Sequence, residues 1–268
     1  MSVHIVIPAR YASSRLPGKP LADIAGEAMV VRVARQAGNA AVGSVVVAVD
    51  DSRVADAVRD AGSAVQMTRA DHISGSDRVM EVAEKYGWSD DDVVINVQGD
   101  EPLVPPTVIE QLSEAMRQHP DMPMATLSEP VESLDDYLDP NVVKVVCNDQ
   151  DLAMLFSRAP IPYPRETLGR SVPETALRHV GIYAFRVGAL RRFIALGAST
   201  LERVEMLEQM RWLQAGFPLL VIQAMEKVPG GVDTPDDLAR VQALFGAWTP
   251  SSLRPYLGAI RIAPAKRM

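Results

Sequence analysis

An α/β fold with a mostly parallel central sheet and helices on both faces is what the sequence predicts, and three observations carry it. β-Branched runs recur at 3–7 (VHIVI), 44–50 (SVVVAVD) and within 92–102 (DVVINVQGDEP), each reading as a strand buried on both faces. Segments with helical apolar spacing lie between them. Strand and helix alternate in order, which calls for parallel strands joined by right-handed crossovers.

The elements follow along the chain. After the strand at 3–7, a polar loop at 8–20 (PARYASSRLPGKP) precedes a helix over 29–40. The strand at 44–50 ends in Asp50 and Asp51 and leads into a helix over 52–62, with Ser52 as its N-cap and Gly62 as its stop. A short strand at 64–67, a helix at 76–87, the strand at 92–102 and a helix at 106–119 with Pro at its first turn complete the alternation. Ligands of such sheets bind outside the carboxyl ends of the strands, the edge from which loop 8–20 departs.

The pattern changes near residue 120. Strands are predicted at 124–131, 142–147, 153–158 and 179–186 without a helix between each, as antiparallel additions that contribute a smaller mixed or antiparallel subdomain. A Pro-rich loop over 159–176 interrupts them. One continuous helix is expected over 201–216, a strand over 219–225, and a helix over 233–246 with Thr234 as N-cap and Pro235 in its first turn.

Composition narrows the function. A chain of 268 residues buries a substantial core as one domain, or as one domain with a subdomain. A net charge of -7 excludes the excess positive charge of a non-specific nucleic-acid binder. The single cysteine, Cys147, excludes an internal disulfide framework. No apolar run approaches the roughly 18 residues of a spanning helix. VHIVI is too short for a secretory leader, so a cytoplasmic location without membrane insertion is expected.

Three stretches carry chemistry. In loop 8–20, Arg10, Arg15 and Lys19 stand among the small residues Ala9, Ala12, Ser13, Ser14 and Gly18. It lacks the P-loop and dinucleotide fingerprints, yet small residues let backbone N–H groups approach a polyphosphate while the cations supply charge. VQGDEP (97–102) places Asp100 and Glu101 after a buried strand, either as an acidic turn or as ligands of a hard divalent cation. GGVDTPDD (230–237) places Asp233 at a helix start, where capping is the local role.

Taken together, PARYASSRLPGKPL, TRADHISGSDR (68–78), NVQGDEP (96–102), SRAPIP (157–162), RHVGIYAFR (178–186), LEQMR (207–211) and GVDTPDDLARV (231–241) occur in an order that resembles the 3-deoxy-manno-octulosonate (Kdo) cytidylyltransferase family. The resemblance spans about residues 3–246. It implies a nucleotide-diphospho-sugar transferase-like fold, a homodimer, CTP and Kdo as substrates, Mg²⁺ as cofactor, and CMP-Kdo for lipopolysaccharide assembly as product. It implies a cytidylyltransferase domain over 1–246, in which about 120–186 forms the sugar-binding or dimerisation subdomain. No role is assigned to 247–268.

The implied site residues follow from the same motifs. Ala9, Arg10, Ser13, Arg15, Lys19, Arg69, Ser74, Gly75 and Arg78 would bind CTP. Gln98, Arg158, His179, Tyr183, Glu208 and Gln209 would bind Kdo, with Arg158 pairing with its carboxylate. Asp100 and Asp233 would hold the metal, and with Lys19 they would be the catalytic residues. Strand parity puts His179 and Tyr183 on one face. The local alternatives are a core histidine for His179, a solvated flank for Glu208, a salt-bridge role for Arg158 and pairing of Arg78 with Glu81 or Glu84. A related acidic sugar such as sialic acid is the alternative substrate, and a catalytically silent nucleotide binder the alternative class.

Overall fold

The computed structural model describes residues 1–13 and 15–246; Ser14 and the expected extension 247–268 lie outside the described residues. The elements in order are β1 (Val3–Ala9), a single 3-10 turn (Lys19–Leu21), the hairpin β2 (Asp23–Ile24) and β3 (Glu27–Ala28), α1 (Met29–Asn39), β4 (Ser44–Val49), α2 (Ser52–Asp60), β5 (Val65–Met67), α3 (Gly75–Tyr86), β6 (Val93–Asn96), α4 (Pro106–Gln118), β7 (Met124–Pro130), α5 (Leu134–Leu138), β8 (Lys144–Cys147), β9 (Ala153–Ser157), β10 (Leu177–Arg186), α6 (Val187–Ala195), α7 (Thr200–Glu205), α8 (Met210–Gln214), β11 (Leu220–Gln223) and α9 (Pro235–Gly246).

The strand order across the main sheet is β11-β7-β10-β6-β1-β4-β5. β1 pairs in parallel with both β4 and β6, β4 with β5, and β11 with β7. β10 alone is reversed, antiparallel to both β6 and β7. Its first half therefore reaches the same edge as the carboxyl ends of β1, β4 and β6. β8 pairs with β10 and β9, so this ribbon branches from the central sheet.

Strand alternation sorts the core into two layers. Ile5, Ile7, Val47, Val49, Val93 and Ile95 face α1, α2 and α4 through Val30, Val33, Val54, Val58, Val108 and Leu112. Val6, Val46, Ala48 and Val94 face α3, α6 and α8 through Val79, Val82, Leu190, Phe193 and Trp212. Each such valine, leucine, isoleucine or phenylalanine contributes about 1.5–3 kcal/mol relative to exposure. A smaller cluster of Ile24, Met29, Leu103, Val232 and Val241 seats α9 beside the β2–β3 hairpin.

Some expectations change. Asp51 rather than Ser52 caps α2, its carboxylate accepting from the Arg53 N–H, because the acid sits one residue earlier in extended conformation. The helix expected over 201–216 is two helices. Met206 adopts the left-handed conformation at φ 53° and ends α7. Arg158 donates to the Glu205 and Met206 carbonyls there, and those outside bonds replace helical ones. The helices α5 and α6 were not expected. Among the described residues, no helix is long and apolar enough to cross a membrane.

Candidate active site

Loop 8–20 is pinned where it leaves β1. The Tyr11 N–H donates to Asp50 Oδ1 at 2.9 Å, and the Arg53 guanidinium lies 3.8 Å over the Tyr11 ring. Asp50 also accepts from Arg78 Nη2 at 2.9 Å, while Arg78 Nη1 donates to the Thr68 hydroxyl. Arg78 is 3% exposed, so its pairing is with Asp50 and Thr68 rather than with Glu81 or Glu84. The turn after β6 lies directly against this loop. A Cβ on Gly99 would stand 2.8 Å from the Pro8 carbonyl oxygen, a contact that glycine alone avoids.

Two adjoining cavities open on this edge. The first, of about 300 Å³, is lined by Ala9, Arg10, Ser13, Arg15 and Lys19 of the loop, by His72, Ile73, Ser74, Gly75 and Arg78, and by Gln98, Asp100, Glu208 and Asp233. Ser74 caps α3 in a reciprocal capping box with Asp77, which turns the positive end of that helix towards the cavity. The loop before α3 is held by Glu81, which accepts from the Arg69 N–H at 3.0 Å and pairs with His72 and Lys85.

At one end of this cavity the two aspartates meet. Lys19 Nζ donates to Asp100 Oδ2 at 2.5 Å and to Asp233 Oδ1 at 2.8 Å, and Arg15 Nη2 lies 3.1 Å from Asp233 Oδ1. The backbone locks their approach through the Val232 N–H, which donates to the Asp100 carbonyl at 2.8 Å. Gly231 makes room, since a Cβ there would lie 3.1 Å from the Asp100 carbonyl oxygen. Thr234 and Asp237 form the cap that aims Asp233, with the Asp237 N–H donating to Thr234 Oγ1 at 3.2 Å. Two partly exposed carboxylates already sharing one cation are a donor set that fits a hard divalent metal.

Glu101 lies behind this pair, its Oε2 shut from solvent and without a hydrogen-bond partner. Burial, reinforced by Asp100, raises its carboxyl from 4.5 to about 8. Both folded and unfolded chains hold this proton below pH 4.5. Between 4.5 and 8 only the folded chain keeps it, so Glu101 costs increasing stability as pH rises through that window. Glu101→Gln is therefore expected to be more stable than the parent at pH 8, by up to about 4 kcal/mol, with the margin vanishing near pH 4.5. Urea denaturation across this range checks it; a margin that does not change with pH would show that Glu101 is ionised in the folded chain.

The second cavity, of about 270 Å³, shares Gly75, Gln98 and Glu208 with the first and adds Ser76, Asn96, Met124, His179, Tyr183, Phe185, Met206 and Gln209. His179 and Tyr183 are both in its wall, their ring centroids 5.3 Å apart, as strand parity requires. Burial and the adjacent Arg178 lower His179 to about 3, so the ring is neutral. The Thr126 hydroxyl donates to the Ile182 carbonyl at 2.8 Å and lies 2.9 Å from His179 Nε2. Nε2 is therefore the protonated nitrogen and Nδ1 the acceptor. Burial also raises Tyr183 and Glu208; Glu208 accepts from the Ser76 hydroxyl at 3.1 Å. No lysine or arginine lines this cavity among the described residues.

Two expected ligand residues stand outside both linings. The Arg69 guanidinium forks onto Asp71 at 2.9 and 2.7 Å, a pairing that the spacing Arg-Ala-Asp permits. Arg158 spends its fork on the carbonyls of Glu205, Met206 and Pro140, so it props the turn before Glu208 instead of facing the cavity. Conversely, Asp50, His72 and Asn96 were not singled out as site residues, and Glu101, named with Asp100 as a metal-ligand alternative, is instead buried behind the two aspartates. For Asp50 the signal was there: an acid ending a buried strand at the ligand edge.

The cytidylyltransferase family matches this chain over residues 4–226. The chain is 48% identical over 250 residues to the 3-deoxy-manno-octulosonate cytidylyltransferase of Alcanivorax borkumensis, covering 92% of this chain and 99% of that protein. It is 49% identical over 245 residues to the protein of the same name from Serratia proteamaculans, covering 90% and 98%. It superposes with a TM-score of 0.85 on the solved structure of CMP:2-keto-3-deoxy-manno-octonic acid synthetase complexed with CTP, at 44% identity and covering 92% of this chain and 99% of that one. A cytidylyltransferase from Leptospira borgpetersenii shares the fold with a TM-score of 0.61 at 13% identity, each chain fully covered.

Proposed function

Because the chain belongs to the cytidylyltransferase family, we propose that it activates Kdo with CTP, forming CMP-Kdo and releasing pyrophosphate. The observation that carries this reading is the pair of adjoining cavities, one lined by several cations and one by none, sharing Gln98 and Glu208. The product is an activated sugar for lipopolysaccharide assembly.

The residue roles follow from charge. Arg10, Arg15, Lys19 and Arg78 hold the triphosphate, supported by Ser74 and Gly75 at the start of α3, with Ala9 and Ser13 lining the same pocket. Gln98, His179, Tyr183, Glu208 and Gln209 hold the sugar polyol, with the neutral His179 offering Nδ1 to a hydroxyl. The second cavity offers no cation to the Kdo carboxylate, so that group turns towards the first cavity. Arg158 acts on the sugar side indirectly, through the turn that it props, and Arg69 is left as a partner of Asp71.

Asp100 and Asp233 would hold Mg²⁺. Bound there, it would supply Lewis-acid polarisation of phosphoryl oxygens and a lowered pKa for the attacking hydroxyl. The Kdo anomeric hydroxyl attacks the α-phosphorus in line, and the bond to the β-phosphate oxygen breaks. Lys19, with Arg10 and Arg15, stabilises the charge that gathers on departing pyrophosphate. No covalent intermediate on the protein is required. Cys147, whose thiol burial pushes up to about 11, takes no part.

The test is pyrophosphate release from CTP and Mg²⁺, with Kdo, sialic acid or no sugar in parallel. Release with Kdo alone is expected. Release with sialic acid instead would overturn the sugar assignment and keep that of the first cavity. No release in any sample, from folded protein that binds CTP, would favour a silent nucleotide binder.

A further inference from the structure

Three residues line both cavities: Gly75, Gln98 and Glu208. A reaction that joins a ligand of one cavity to a ligand of the other makes its new bond along that shared border. The attacking hydroxyl loses a proton there, so a proton acceptor has to stand at the same place. Gly75 has no side chain, and the carboxamide of Gln98 does not take up a proton near neutral pH. Asp100 and Asp233 line only the first cavity and are held by Lys19. Of the three shared residues, Glu208 alone can accept the proton.

Its surroundings suit that work. Glu208 lies between α7 and α8, after the turn that Arg158 holds through the carbonyls of Glu205 and Met206. Its Oε2 accepts from the Ser76 hydroxyl at 3.1 Å, which ties it to the first turn of α3. Oε1 receives no hydrogen bond among the described residues and, unlike Glu101 Oε2, is open to solvent. The guanidinium of Arg211 is spent on Glu202. Burial is the main reason why the Glu208 carboxyl sits above its ordinary range; Glu202 and Asp77 push the same way, while the Ser76 hydroxyl and Arg211 oppose it. A carboxylate so raised is a stronger base than a solvated one. On the sugar side it faces Tyr183, which burial keeps protonated, and the neutral His179.

We propose that Glu208 is the general base of the transfer, its Oε1 taking the proton of the anomeric hydroxyl as that oxygen attacks. This rests on the Kdo reading above and gives a catalytic role to a residue assigned there only to holding the polyol. The oxygen attacks the α-phosphorus with one lone pair and keeps the pair of its former O–H bond. The bond from the α-phosphorus to the bridging oxygen breaks, and its pair leaves with pyrophosphate. The proton passes from Glu208 to solvent once the products depart.

The test begins with Glu208→Gln, which keeps an acceptor for the Ser76 hydroxyl and removes the base. In single turnovers with CTP, Mg²⁺ and saturating Kdo, pyrophosphate formation should slow by about 10²–10⁴, the usual contribution of general-base catalysis, while KM for Kdo stays within about 3-fold. In the parent the rate should rise with pH to a plateau, because only the ionised carboxylate accepts a proton; the variant should lose that acid limb. His72, Asp100 and Asp233 also border the first cavity, beside Arg10, Arg15, Lys19 and Arg78, so a limb alone does not single out Glu208. Ser76→Ala does. The hydroxyl stabilises the ionised form of Glu208, so its loss raises that pKa and should move the limb to higher pH without removing it. The same measurement decides the matter should Glu208→Gln fail to fold. A Glu208→Gln variant with the parent's rate and a raised KM for Kdo would leave Glu208 as a polyol ligand only and overturn the proposal. So would a slow variant that keeps the parent's acid limb, or a limb that Ser76→Ala leaves in place. A parent inert on Kdo overturns the Kdo reading and this assignment with it; a parent active on Kdo whose Glu208→Gln variant matches it in rate and limb overturns the assignment alone.

Discussion

Asp100→Asn is expected to lower kcat by about 10²–10³ or more, the scale on which removal of a group stabilising transition-state charge is felt. Two of the cavity's carboxylates share Lys19, and the substitution leaves Asp233 as its only acidic partner. The fold should survive. Lys19 keeps its 2.8 Å contact to Asp233, and a partly exposed pair of this kind contributes about 1 kcal/mol or less. Thermal melting should therefore shift little while steady-state pyrophosphate release collapses. Relief of the like charge beside Glu101 should also ease ionisation of that carboxyl, since Asp100 is among the groups holding it up. Turnover within about 5-fold of the parent would remove Asp100 from the metal site, since a lost charge stabiliser costs far more.

Lys19→Met is expected to act in two opposite directions. With CTP, kcat/KM should fall by about 10²–10³, because the ammonium that neutralises the departing phosphates is gone. Without CTP, Mg²⁺ should bind more tightly than to the parent, because the ion no longer competes with Lys19 for Asp100 and Asp233. Calorimetric titration of the CTP-free protein with Mg²⁺, beside a turnover assay, separates the two. Weaker Mg²⁺ binding together with lost turnover would mean that Lys19 holds the aspartates in place instead of competing for them.

Much of the fold was legible because its signals are local. The runs that became β1, β4 and β6 are β-branched and buried on both faces, and the helix expected over 76–87 is α3 within a residue at each end. What escaped was set by distant partners. The break at Met206 depends on Arg158, whose guanidinium arrives from the far end of β9. The joining of β7 and β10 to the central sheet depends on pairings across the whole second half of the chain. In the site, Lys19, Asp100 and Asp233 each had a bland local reading as loop cation, acidic turn and helix cap. Only the sheet order brings them together, and only the family resemblance pointed to it from sequence. Arg69 and Arg158 show the converse, since a motif position does not say which way a guanidinium turns when a carboxylate or a row of carbonyls lies closer. Asn96 shows a signal that was present but unread, a lone carboxamide closing an otherwise apolar strand.

The bond from Lys19 to Asp233 spans 214 positions of the chain. Long-range closures of this kind form late, after the local pairings that reward folding early. During synthesis β1, β4, β5 and β6 all emerge before residue 100, and so do Asp50, Thr68 and Arg78, which pin the start of the cationic loop. The contact between Lys19 and Asp233 closes only once α9 has docked against the β2–β3 hairpin. A nascent chain thus makes the cations of the first cavity well before Glu208 and Asp233 exist to complete its wall, and turnover itself becomes a report that folding has run to the last helix.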